Sequence, residues 1–208
     1  MKIRRYFILI ILSAFCYAVA FSQTRVYQIP LGVPTASEVD EENFIGISNI
    51  IYALFQPEIK ELKRKVELNL FWETSYFSAW ANHHQNIYSI NFWGGLARVP
   101  SMTKIAWAFT VCHELGHIIA GAPYIDSPKL YWSSAEGQAD HFAFNICLPR
   151  FLSLGLFKAR IDDKVSRYCD EHNLYRSKFC KEILQAGIDF SKVTTFVSGV
   201  GESVEIYS

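Results

Sequence analysis

The sequence predicts an α+β fold, with a small antiparallel β-sheet packed on a mostly helical domain. Three observations predict it. Two short alternating runs, Val66–Trp72 and Asn86–Trp93, lie close together and read as strands. Before and after them, apolar residues recur at the three-to-four spacing of a helix, continuing to about residue 190. The 208 residues, half of them hydrophobic, suffice for one buried core.

In chain order, residues 1–20 stand apart. Lys2, Arg4 and Arg5 precede the apolar run from Phe7 to Leu12, and Ala18-Val19-Ala20 offers a cleavage site, so this segment reads as a signal peptide. The apolar run is shorter than the roughly 20 residues of a membrane-spanning helix, so no stable span is expected once it is removed. Residues 21–40, with Pro30, Gly32 and Pro34, read as an extended lead-in. A single domain is expected over 41–198. It opens on a helix from Glu41, whose apolar face carries Phe44, Ile47, Ile51 and Leu54. Pro57 should end or kink that helix, and Glu58–Lys65 adds a charged turn or two.

Between the two strands, Phe77–Asn82 is extended in character and His83–Asn86 reads as a polar turn; Gly94-Gly95 closes the sheet. Helices are then expected over Ser101–Ala120, stopped by Gly121 and Pro123, and over Ser133–Leu148, stopped by Pro149. Two more cover Asp162–His172 and Tyr175–Phe190, and 199–208 reads as a tail.

Loss of the leader would remove three cations and no anions, leaving 17 basic residues against 20 acidic, a net charge of −3. A mildly acidic chain without a basic stripe argues against nucleic-acid binding. Export, to the periplasm or outside, also bears on the cysteines that remain, Cys112, Cys147, Cys169 and Cys180. Four allow three pairings, or four buried thiols. The favoured pairing is Cys169–Cys180 across the turn between the last two helices, which leaves Cys112–Cys147.

The chemistry concentrates in His113-Glu114-Leu115-Gly116-His117. Residues four apart share a helix face, so both imidazoles can reach one ion, while Glu114 can contact a water bound to it. The neighbours Ile105 to Ile119 are mostly apolar, and polar groups buried in such a helix need partners. In Glu136-Gly137-Gln138-Ala139-Asp140, 19 residues beyond His117, two acids again stand four apart and offer a third ligand. Zinc suits this donor set and leaves a position for water.

The pair HELGH and E-x-x-x-D resembles the gluzincin class of zinc metallopeptidases. The stretch Ala135–Ala143 is similar to the group containing HtpX and the CAAX prenyl proteases, in a small soluble secreted form. The likeness covers roughly Val66 to Phe151. It implies a zincin-like domain holding one Zn2+ on His113, His117 and Glu136, with Asp140 accepting a hydrogen bond from His113. Glu114 is the implied catalytic base, in an endopeptidase acting on peptide or protein substrates. The likeness further implies an edge strand that binds substrate by β-augmentation, expected at Ser78, Ala79, Trp80 and Ala81. The related metzincin pattern fails, because the chain has Ala120 and Pro123 where glycine and a ligand are required.

An oxyanion-binding side chain is not fixed by spacing; His172 and Tyr175 are candidates, with Tyr124 and Tyr131 behind them. His83 and His84 read as solvated, and His141 as lying off the metal face. Two other functions remain open at this level: an exported zinc-binding scaffold without peptidase activity, and a hydrolase of cell-wall peptides.

Overall fold

The computed structural model describes residues 28–156, 158–172 and 179–199. The leader, Tyr175 and the tail beyond residue 199 lie outside the described residues. Among those described, no helix is long and apolar enough to cross a membrane.

The first helix, α1 (Glu41–Leu54), begins where the Asp40 side chain accepts the Asn43 N–H. It ends at Leu54, with Phe55 out of helical conformation, just ahead of Pro57 as expected. Pro57 itself sits in the first turn of a second short helix, α2 (Gln56–Glu61), where a missing N–H costs nothing. Strands β1 (Lys65–Phe71), β2 (Ala79–His84) and β3 (Ile87–Trp93) form one sheet in the order β1-β3-β2.

The α+β class holds, but the sheet is mixed rather than antiparallel: β2 pairs antiparallel with β3, and β1 pairs parallel with it. Burial accounts for the order. Tyr88, Ile90 and Phe92 of β3 are all buried, so this strand takes the centre. The strand β2, Ala-Trp-Ala-Asn-His-His, has little to bury and takes an edge. His83 and His84 therefore end a strand rather than form a turn, and Gln85 turns the chain with φ 54°.

The lead-in is pinned to the sheet. Ile29 N–H donates to the Ser75 carbonyl, and the buried Arg98 guanidinium holds the carbonyls of Ile29, Trp72 and Thr74. Arg98 follows a one-turn helix, α3 (Gly94–Ala97). There a Cβ on Gly94 or Gly95 would overlap the carbonyls of Trp72 or Ser75, so no larger residue fits.

Helix α4 (Lys104–Ile119) is the hub. Thr103 caps it by accepting the Ala106 N–H, and Gly121, at φ 79°, follows its end. Trp107, fully buried, joins three layers: it stacks on Phe44 of α1 at 4.9 Å and meets Phe92 of β3 edge-on at 5.2 Å. Its indole N–H reaches Ser48 Oγ at 3.3 Å.

The next helix starts at Glu136, three residues later than expected, and does not stop at Pro149. It runs as α5 (Glu136–Phe142), widens into a π-helical turn (Ala143–Cys147) and continues as α6 (Leu148–Leu152). In an α-helix a proline clashes with the carbonyl four residues back; the wider turn ahead of Pro149 relieves that contact. Helix α7 (Asp163–Glu171) matches its expected span, with Asp162 as cap. The last helix among the described residues, α8 (Cys180–Ser198), ends later than expected, its expected start at Tyr175 lying outside the described residues; it packs against α4, where Phe190 meets Phe109 at 4.8 Å.

Both favoured disulfides are present. Cys112–Cys147 ties α4 to the π turn, and Cys169–Cys180 joins α7 to α8.

Candidate metal centre

The spacing of four residues on α4 puts His113 and His117 side by side, with their rings perpendicular and the two Nε2 atoms 3.1 Å apart. Glu136 enters from the first turn of α5. Its Oε2 lies 3.2 Å from Nε2 of His113 and 3.6 Å from Nε2 of His117. The Glu136 side chain is 73% exposed, so the open side of this triangle faces solvent.

Close packing of the two helices makes the meeting possible. A Cβ on Gly116 would stand 3.0 Å from Ala139 Cα and 3.1 Å from its carbonyl oxygen, so glycine sets the approach of α4 to α5.

The Nδ1 atoms fix the tautomers. Nδ1 of His113 lies 2.8 Å from Asp140 Oδ1, and Nδ1 of His117 lies 2.8 Å from the Ser134 carbonyl. Both partners are acceptors, so each ring donates from Nδ1. The two Nε2 lone pairs and a carboxylate oxygen then converge within 3.1–3.6 Å. Three electron-rich atoms stay that close only around a cation or a shared proton. Tetrahedral coordination with bonds near 2.0–2.1 Å spaces its ligand atoms by about 3.4 Å, which this triangle fits. The group can hold a metal ion.

Glu114 lies beside the triangle and is buried. Desolvation, the largest influence, pushes its carboxyl up to about 7; the Glu136 carboxylate adds to this, while His113 and the Ala81 N–H pull the other way. A carboxyl so placed can take up and release a proton near neutral pH.

The Ala81 hydrogen bond also places the edge strand. The Trp93 N–H donates to the Ser78 carbonyl, which makes 78 and 93 a hydrogen-bonded pair in the β2–β3 register. Alternation then turns the backbone groups of Ala79, Ala81 and His83 away from β3, toward the edge that pairs with no strand among the described residues. Ala81 meets Glu114 there. Trp80 points to the other face, edge-on to Trp93 at 5.0 Å.

The remaining candidates divide. His172 caps α7, where its Nδ1 bonds the Tyr168 carbonyl and its ring stacks on Tyr168. Tyr124 is exposed but forms a β-bridge with Ser134, the residue that holds His117. Tyr131 is exposed in the same loop. Trp132 packs on Tyr88 and His83, at 5.6 and 5.8 Å.

Sequence reading missed Ser133 and Ser134. A serine pair ahead of a helix reads as a capping signal, yet Ala135 occupies the cap and both serines turn to His117 instead. No family model, no curated protein and no solved structure matches the chain.

Proposed function

We propose that the chain is a zinc-dependent metalloendopeptidase that works outside the reducing cytoplasm. The observation that carries this reading is the triangle of Nε2, Nε2 and Oε2 at 3.1–3.6 Å, with the buried Glu114 carboxyl next to it. Zinc bound there would lower the pKa of a water toward 7 and polarise a scissile carbonyl. Glu114 accepts the proton of the attacking water as oxygen bonds to the carbonyl carbon. It then delivers that proton to the nitrogen as the C–N bond breaks. Asp140 and Ser134 keep the imidazoles in the tautomer that presents Nε2. The outer edge of β2, which pairs with no strand among the described residues, supports the substrate assignment: an extended peptide laid antiparallel along it would pass beside Glu114, which already accepts the Ala81 N–H. Two disulfides support an extracellular or periplasmic setting.

The decisive experiment combines metal analysis of the purified chain with digestion of an unfolded protein. The wild type should carry about one zinc per chain and cleave. Glu114→Gln should keep the zinc and lose roughly 10²–10⁴-fold in rate. If Glu114→Gln digests as fast as wild type, the assigned base is wrong; a chain that binds zinc but never cleaves is the scaffold instead. A peptidoglycan digest run in parallel reads the cell-wall alternative.

A further inference from the structure

The two imidazoles are held differently. His113 leans on Asp140, whose side chain is 48% exposed, so water can share that contact. The partners of His117 are dry: Ser133 is 4% exposed and Ser134 is fully buried. The Nδ1 of His117 lies 2.8 Å from the Ser134 carbonyl and 3.2 Å from Ser133 Oγ, and that hydroxyl donates to the same carbonyl at 3.2 Å. The three groups form a closed ring of contacts in which the Nδ1–H is shared between two acceptors.

The ring is braced on both sides. Ser134 N–H donates to the His117 carbonyl, and Ser134 Oγ donates to the Gly121 carbonyl. Trp132, one residue before Ser133, packs at a tilt against Tyr88 of β3 and His83 of β2. Residues 132–134 thus run as a strut from the sheet to the second histidine.

Resting on the metal reading above, we propose that Ser133 is a positioning residue. Its hydroxyl fixes the rotation of the His117 ring so that Nε2 faces His113 and Glu136. With Ser133 4% exposed and His117 7% exposed, the contact is largely shielded from bulk water. Losing the hydroxyl should leave the fold standing and weaken zinc binding, about tenfold, at the lower end of the range for groups that orient a ligand.

The test compares Ser133→Thr with Ser133→Val, which match in bulk and differ in the hydroxyl. Zinc affinity is read by competition with a chromophoric chelator, and unfolding midpoints are read on the metal-free proteins. The expected result is near-wild-type affinity for the threonine variant and about tenfold weaker binding for valine, at equal midpoints. Equal affinities for the two would overturn the role. Should both branched side chains unfold the loop, Ser133→Ala against wild type gives the same comparison. A wild type that fails to bind zinc at all would overturn the metal reading and this role together.

Discussion

At the scale of single residues, the site divides into what local spacing can reveal and what only tertiary contact supplies. His113, Glu114 and His117 are legible because a helix places residues four apart on one face. Glu136 and Asp140 are legible as a second such pair. Asp140 is the informative case, because its Oδ1 lies 2.8 Å from His113 Nδ1 while its side chain remains half in solvent. Asp140→Asn keeps the shape but can offer its amide donor to a nitrogen that is itself a donor. The expected outcome is a 10- to 100-fold loss of zinc affinity with little change in the metal-free unfolding midpoint, checked by chelator competition. Unchanged affinity would mean that His113 needs no such partner. Ser133 and Ala81 were not legible as contacts of His117 and Glu114, because nothing in local spacing says which loop or strand edge meets a helix from outside.

At the scale of elements, the helices and strands follow from periodicity, and the misses have physical causes. Pairing direction depends on which strand is the most buried, and a strand flanked on both sides need not pair in chain order; β3 takes the centre, leaving β1 parallel to it. Pro149 looks like a stop because a regular α-helix cannot hold it, whereas the π turn over Ala143–Cys147 can. That turn also ends at Cys147, whose disulfide to Cys112 locks α5 and its continuation to α4 one residue before His113. Replacing both cysteines with alanine should cost about 3–4 kcal/mol for a loop of this length. The thermal midpoint should then fall by roughly 10 °C. Zinc affinity should fall as well, because the helix carrying Glu136 gains freedom relative to α4. A variant that loses stability yet binds zinc as tightly as wild type would show that the Gly116–Ala139 contact alone holds the two helices in register.

At the scale of the molecule, the site is a junction. Helix α4 carries His113, Glu114 and His117, α5 carries Glu136, the Ser134 carbonyl in the loop before it holds His117, and Ala81 at the edge of β2 bonds Glu114. These parts come from residues 81 to 140 and meet only in the folded chain, so an ion bound across them stabilises the native state and not the unfolded one. Zinc at a thousand times its dissociation constant should then add about 4 kcal/mol. For a chain of this size that shifts the midpoint by roughly 8–16 °C. Thermal unfolding of the wild type with and without a strong chelator measures it. The chelator should lower the wild-type midpoint by that amount, and zinc added back in excess should restore it. His117→Ala should start near the chelated value and respond to neither addition. If the wild type shows no shift with either reagent, the triangle of Nε2, Nε2 and Oε2 is held together by a shared proton rather than an ion, and the peptidase reading falls with it.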